Sequence, residues 1–295
     1  MLKQFIRDWL VPPRIWRLMG SLRGTQEYIS RTSKDMLSFK NCHQGQRCFI
    51  LATGPSINSM DLTCLHDEIC MAVSLFGYHK DIEAIRPCYH FAAPLHQPLQ
   101  DDEALKYFKM FKERYTWPVD VFLSINGYEY SFDRMANKYP EWKPDRVHFI
   151  DYGSTGNLAE ENRDDAKIWD VFLHPYGMRT SVAGALMLCD YMGFSEVCLL
   201  GCDFNYMRDL AGNTNRHFYS DDNALEKRIN YLENSKMLEK FLQGAGILWK
   251  QYRLIEEHYR SEGRIIYNAS PDSSLNMFEK VDFSAYVSNK GEKKR

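Results

Sequence analysis

The sequence predicts an α/β fold, a mostly parallel sheet flanked by helices. Three observations predict it. Short apolar runs without helical period recur at 48–52, 69–75, 88–93, 119–125, 147–152, 196–201 and 264–268. Runs of that length suit strands buried on both faces. Helix-spaced segments separate several of them, which is the rhythm of right-handed parallel crossovers. Finally, 295 residues at 44% hydrophobic and 26% charged content supply the core of one large α/β domain or two smaller ones.

At the start of the chain, Leu2, Phe5, Ile6, Trp9 and Leu10 recur at helical spacing. Pro12 and Pro13 interrupt, and Ile15, Trp16, Leu18, Met19 and Leu22 resume the pattern. Lys3, Arg7, Arg14, Arg17 and Arg23 face only Asp8 in charge. A basic amphipathic helix with tryptophans suits an anionic membrane surface, reached through residues 1–24. Packing on the chain's own core or on a second subunit is the alternative, so homo-oligomerisation stays open. Prolines and charges break the apolar residues, so this stretch is not a signal peptide, and no apolar run is long enough to span a bilayer. Residues 25–46 read as a polar linker with some helical character. The division expected is a helical segment and linker over 1–40, a domain over 41–287, and a disordered charged tail over 288–295.

The stretch 47–62 organises the domain. The apolar run ends at Thr53, Gly54, Pro55 and Ser56. Gly54 is open to backbone angles closed to other residues, and Pro55 fixes φ and offers no N–H. Ser56 and Asn58 suit capping of a turn, and Asp61 suits capping of a helix over 62–65. A buried strand ending in such a turn is a place where backbone N–H groups can face an anion. An ordinary strand-to-helix turn is the alternative.

Strands at 69–75 and 88–93 flank a short helical turn over 81–85, which Pro87 ends. A helix over 101–115, a strand over 119–125, a turn at Asn126-Gly127, a helix and loop over 132–144 and a strand over 147–152 follow. The polar stretch 153–165 reads as a surface loop, mobile over a site in one reading. Thr180 and Ser181 then open a helix of small and apolar residues that Gly193 ends. The next strand delivers Asp203 and Asn205 at its carboxyl end, where open parallel sheets bind ligands. Arg179 adds a cation beside the unpaired N–H groups of the Thr180 helix, a setting for phosphate. Asp203 as a turn cap is the alternative. His217 lies in a polar segment, where an imidazole serves as a general base or as a surface residue. A long helix over 224–242, helical character continuing over 247–258, and a last strand over 264–268 complete the order of elements.

A net charge of −2 gives no reason to expect nucleic acid as partner. The 18 tyrosines suit sugar or nucleotide pockets as well as an ordinary core. The eight cysteines form no Cys-x-x-Cys pair, and Cys198 and Cys202 share a face of their strand on spacing alone. Buried reduced thiols and a cytoplasmic location are expected.

Four blocks in order carry a resemblance. They are Cys48-Phe-Ile-Leu-Ala-Thr-Gly-Pro-Ser-Ile-Asn-Ser-Met-Asp-Leu, Gly193-Phe-Ser-Glu-Val-Cys-Leu-Leu-Gly-Cys-Asp-Phe, Arg216-His-Phe-Tyr, and Ile266-Tyr-Asn-Ala-Ser-Pro-Asp-Ser-Ser-Leu-Asn-Met-Phe-Glu-Lys-Val-Asp-Phe. Together they resemble bacterial proteins with the 6-hydroxymethylpterin diphosphokinase MptE-like domain. Their order over residues 46–284 is similar to the glycosyltransferase family 42 sialyltransferases and the motility-associated factors that glycosylate flagellin. The resemblance implies a Rossmann-like domain with a helical lid, here about 205–245, and a CMP-activated acidic sugar as donor. Carried over, Thr53, Gly54, Pro55, Ser56, Ser74, Arg179, Thr180, Ser181, Asp203 and Asn205 would surround the donor nucleotide. His217 would be the catalytic base of an inverting transfer. No metal and no cofactor beyond the nucleotide sugar are implied.

The chain also departs from that pattern. Ser74 stands where the sialyltransferases place an asparagine, Ala93 precedes Pro94 where they have another, and Asp221 stands at the second lid histidine. Such changes are compatible with another CMP-sugar, another donor or loss of activity. The function expected is a glycosyltransferase of bacterial surface-glycan assembly, lipopolysaccharide or capsule, with a glycan or lipid-linked acceptor, peripheral on the inner membrane. The rivals are pyrophosphate transfer from ATP by a pterin diphosphokinase, which needs Mg²⁺ on clustered carboxylates, and a non-catalytic nucleotide- or sugar-binding partner.

Overall fold

A computed structural model describes residues 33–95, 101–151, 169–171, 177–205, 217–219, 234–271 and 273–288. The expected amphipathic helix over 1–24, the loop over 153–165, most of the lid and the tail lie outside the described residues.

Among the described residues, eight strands form one sheet: β1 (Arg47–Leu51), β2 (Cys70–Val73), β3 (Tyr89–Ala92), β4 (Asp120–Ser124), β5 (Val147–Ile150), β6 (Glu196–Leu200), β7 (Ile265–Asn268) and β8 (Glu279–Lys280). Their spatial order is β5-β4-β3-β2-β1-β6-β7-β8, and every neighbouring pair is parallel. The chain therefore lays strands outward from β1 in one direction and then returns to lay β6, β7 and β8 on its other side. The reversal falls between β1 and β6, the topological switch point where open α/β sheets hold ligands. Register there runs Arg47↔Glu196 to Leu51↔Leu200, so both strands end level.

The helices are α1 (Ile82–Ile85), α2 (Asp101–Arg114), α3 (Phe132–Lys138), α4 (Ser181–Met192), α5 (Ser235–Ser261) and α6 (Phe283–Ser288). The central strands are buried along their length, save for half-buried Arg47 at the start of β1, which explains why their apolar residues do not alternate. Two apolar layers result. α4 and α5 cover one face through Val182, Leu186, Leu254 and Ile255, and α2 and α3 cover the other through Phe108, Phe111, Phe132 and Met135. Burying a side chain of this size contributes about 1.5–3 kcal/mol. α4 is buried on almost every side, so it is small and apolar all round. Gly184 sits where a Cβ would come within 2.5 Å of the Phe91 ring, which lets α4 lie close on β3.

Several expectations change. The long helix read at 224–242 and the helical character continuing over 247–258 fall, over the described residues, in one 27-residue helix from Ser235 to Ser261 that also takes in residues 243–246. Its buried half, from Leu248 to Tyr259, anchors it through Gly244 and Gly246. Residues 33–46, read as linker with some helical character, have that character in a 3₁₀ turn over Lys34–Phe39 but pack on the sheet domain: Met36 is fully buried, and Ser33 N donates to Phe149 O at 3.2 Å. The 62–65 segment capped by Asp61 is a 3₁₀ turn, with Asp61 accepting from Thr63 N. Cys198 and Cys202 lie in opposite apolar layers, because the strand stops at Leu200 and Gly201, at φ +66°, turns the chain over. Five cysteines are buried, but Cys42, Cys64 and Cys88 are exposed. β8 and α6, a two-residue edge and a six-residue helix, fall below the length at which periodicity gives a signal.

Candidate active site

Two turns meet at the switch point, one leaving β1 and one leaving β6. They continue the ladder past the strands: Ala52 N donates to Leu200 O and Gly54 N to Gly201 O, both at 2.8 Å. Gly54 has φ −65°, an angle open to any residue. Its glycine is required by space instead, because a Cβ would stand 2.4 Å from Gly201 O and 2.7 Å from Asp203 Oδ2. Gly201 is constrained twice, by φ +66° and by Ala52 O at 2.6 Å from its Cβ position.

Asp203 bridges the two turns. Its Oδ2 accepts from Ser56 N at 2.9 Å, and its Oδ1 accepts a short hydrogen bond from Ser56 Oγ. The side chain is 8% exposed. The backbone donors expected to face an anion are thus turned inward: Gly54 N is held by Gly201, Ser56 N by Asp203, and Pro55 has none. Asp203 itself is the anion in the Gly-Pro-Ser turn. Behind it, Cys202 N donates to Ser270 Oγ at 2.7 Å, Ser273 Oγ donates to Cys202 O at 2.7 Å, and Ser274 N donates to Asp203 O at 3.0 Å. Asn205 Oδ1 accepts from Ser274 Oγ at 2.7 Å. The next residue after Asp203, Phe204, holds φ +48°, a costly angle for an aromatic residue. Burial pushes the Cys202 thiol up to about 12, which makes it a poor nucleophile.

His217 meets the β1 turn. Thr53 Oγ1 and His217 Nδ1 are 2.9 Å apart, and Phe218 N donates to Thr53 O at 2.8 Å. The Phe218 ring packs edge-on against Phe76 and His79, with centroids 5.9 and 5.1 Å away. Tyr219 stacks on the imidazole at 4.8 Å. The segment 217–219 is thereby fixed to the sheet by two hydrogen-bonding atoms and an aromatic plug.

A third group gathers where α4 begins. Thr180 caps the helix, accepting from Ala183 N at 3.1 Å, and its hydroxyl pairs with Tyr252 OH at 2.8 Å. Ser74 Oγ donates to Ser181 Oγ at 2.7 Å. Arg179 N donates to Gln251 Oε1 at 3.2 Å, and its guanidinium lies 3.3 Å from the Cβ position of Gly244 on α5. The helix end leaves the Ser181 and Val182 N–H groups without intrahelical acceptors. Among the described residues, no three His, Cys, Asp or Glu side chains gather to hold a metal ion.

The structure thus joins Thr53 to His217, Gly54 and Ser56 to Asp203, and Ser74 to Ser181. Arg179, Thr180 and Asn205 instead bond to α5 and to the segment after β7. Sequence reasoning missed Tyr252, Gln251 and Phe218, which are ordinary helix and loop residues until the fold brings them in. It also gave no role to Ser270, Ser273 and Ser274, although they follow β7 at its carboxyl end.

No family model matches this chain, and no curated protein matches it in sequence. Solved structures do show similarity. The sialyltransferase CstII from Campylobacter jejuni, in complex with the substrate analogue CMP-3FNeuAc, is 15% identical, with 80% of this chain and 86% of that one covered and a TM-score of 0.46. The monofunctional α-2,3-sialyltransferase Cst-I from the same organism is 16% identical over 79% of each chain, also with a TM-score of 0.46. The sialyltransferase CST-II in complex with trisaccharide acceptor and CMP is 14% identical over 79% of this chain and 85% of that one, with a TM-score of 0.45. Likeness at this level assigns neither donor nor acceptor to this chain.

Proposed function

We propose that the chain is an inverting glycosyltransferase that uses a CMP-activated acidic sugar and needs no metal. The observation that carries the reading is the placement of His217 on the switch-point turn, 2.9 Å from Thr53 Oγ1. A ligand between the carboxyl ends of β1 and β6 lies against that imidazole. With Nδ1–H donating to Thr53 Oγ1, Nε2 is the basic nitrogen. It takes the proton from the acceptor hydroxyl as that oxygen forms its bond to the anomeric carbon. The anomeric carbon–phosphate oxygen bond breaks, and CMP leaves with the electron pair. A single in-line displacement inverts the configuration. The first turn of α4, with Ser181, Ser74 and Arg179, supplies donors for the phosphate. Asp203 shapes the turn that carries Thr53 and does not bind the phosphate itself.

The acceptor proposed is a glycan or lipid-linked glycan of the bacterial surface, met at the inner membrane through residues 1–24. Among the described residues, no helix is long and apolar enough to cross a membrane.

The test is thermal unfolding of the purified protein with CMP, CDP, UDP, GDP and ATP, each with Mg²⁺ or EDTA. A ligand of the folded state raises the apparent stability by mass action. An upward shift with CMP in EDTA is expected, followed by turnover of an activated acidic sugar. His217→Ala is expected to lower that turnover by a factor on the order of 10² or more while CMP still binds. A shift only with ATP and Mg²⁺ would move the chain to the diphosphokinase class, and one only with UDP or GDP would discard the donor. CMP binding without turnover of any activated sugar would favour a binding partner over an enzyme.

A further inference from the structure

Ser74 holds φ +54°, the left-handed region, where a serine sits at a cost. Its N–H remains in the ladder, donating to Phe91 O at 3.0 Å, so the strain is taken in the turn that aims its side chain. That side chain donates to Ser181 Oγ at 2.7 Å, at the first residue of α4. Ser181 Oγ also accepts from Ala93 N at 3.4 Å. The carboxyl ends of β2 and β3 and the N-terminus of α4 are thereby tied at one hydroxyl.

On the other face of the sheet, His90 of β3 is fully buried beneath this point. Its Nε2 is 2.8 Å from Ser74 O, and its Nδ1 is 2.6 Å from Tyr115 OH, just past the end of α2. A carbonyl only accepts, so Nε2 carries the proton. Nδ1 is then the acceptor and Tyr115 the donor. The chain of bonds has one direction, from Tyr115 OH to His90, from His90 to the Ser74 carbonyl, with the Ser74 hydroxyl going on to Ser181. Every polar atom of the imidazole is satisfied, and Phe111 stands edge-on to the ring at 4.8 Å.

We propose that His90 and Tyr115 are positioning residues: from beneath the sheet they hold the Ser74 carbonyl, fix its left-handed backbone, and so aim the Ser74 hydroxyl at Ser181 and the start of α4. The proposal rests on the reading that this corner contacts the donor nucleotide. It assigns a role to two buried side chains that touch no substrate and lie on the opposite layer of the molecule. Loss of the pin lets Ser74 relax toward a right-handed or extended backbone, which swings its hydroxyl away from α4.

The experiment is a double-mutant cycle on CMP affinity, measured by titration calorimetry, with crystal structures of the same variants. His90→Phe and Ser74→Gly are each expected to weaken CMP binding about tenfold, the scale of losing one well-placed polar contact. Glycine takes φ +54° freely and carries no hydroxyl, so His90→Phe added to Ser74→Gly is expected to weaken binding no further. Tyr115→Phe, which removes one hydroxyl and spares the fold if His90→Phe does not, is expected to weaken binding several-fold with Ser181 in place. In the crystal, Ser74 of His90→Phe is expected outside the left-handed region with its bond to Ser181 broken. Fold-losses that multiply in the double variant, or variants that lower the melting temperature with CMP affinity unchanged, would overturn the proposal. A wild-type chain that binds no CMP would overturn the donor reading instead. The crystal structures then decide alone, and a Ser74 that keeps φ near +54° without His90 would overturn the positioning role.

Discussion

His79 and His90 are imidazoles buried at 1% and 0% exposure, the first beneath the aromatic plug of Phe218 and the second beneath Ser74. Burial pushes both below the ordinary histidine value. For His79, Asp81 opposes the shift and Lys80 adds to it. For His90 the value is about 3, and the Ser74 carbonyl opposes the shift. The sign follows from proton counting. Below about pH 6.5 the unfolded chain protonates these rings and the folded chain does not, so stability falls as pH falls. It is complete above that value and lost progressively down to about 3, the folded value of His90. Each such ring contributes a slope of about 1.4 kcal/mol per pH unit at most within its window. Urea unfolding between pH 8 and 5 checks this: His90→Gln is expected to be flatter with pH than the wild type, and parallel curves would refute it. Burial of His79 was not legible in the sequence, and that of His90 only through its strand. His90 sits in an apolar run, but nothing in 88–93 shows that Tyr115 returns to meet it. Ser74 was legible only as a departure from a family pattern. Its backbone angle is a tertiary effect.

Between residue and sheet lie the two turns after β1 and β6. The sequence singled out both, one by Gly54-Pro55-Ser56 breaking a buried strand and one by Asp203 at the carboxyl end of another. It could not show that the two touch. They do because β1 and β6 are neighbours in register, and that pairing is absent from local pattern. Gly54 was read as a residue of unusual angle and proves to be a residue of close approach. A methyl group there meets Gly201 O and Asp203 Oδ2 together, and neither belongs to a flexible chain end. Gly54→Ala is expected to destabilise by about 1–3 kcal/mol through that overlap. Chemical denaturation measures it, and a change below ~0.5 kcal/mol, the range of neutral surface substitutions, would show that the turns have room. The helices were legible where apolar spacing and caps agreed, as at Thr180 and Gly193 around α4. Residues 243–246, left between the helix over 224–242 and the helical character continuing over 247–258, are themselves helical in α5, Gly244 and Gly246 included. Helical backbone tolerates glycine at about 1 kcal/mol each, and the packing of Leu248, Tyr252, Leu254, Ile255 and Tyr259 outweighs that.

Taken whole, the molecule is a sheet whose middle is made from both halves of the chain. The alternation of strands and helices made the parallel class legible. The strand order β5-β4-β3-β2-β1-β6-β7-β8 was not, since a sequence gives the order of synthesis and not the side on which each strand is added. The meeting of the β1 and β6 turns depends on that order. This has a consequence for the growing polypeptide. β1 through β5 emerge first and can pair among themselves, but until β6 is made β1 is a border strand. Phe49, Ile50 and Leu51, each fully buried in the finished sheet, then line an open row of unpaired amides. Such a border invites another chain. A chain ending at residue 195 is expected to pellet on centrifugation where the full chain stays in solution, and a soluble monomeric fragment would contradict this. The strand that seals the border is the one that carries Asp203 to Ser56. The sealing of that border and the joining of the two turns therefore arrive in a single step of synthesis, and a lineage with no use for the turns would still be held to β6.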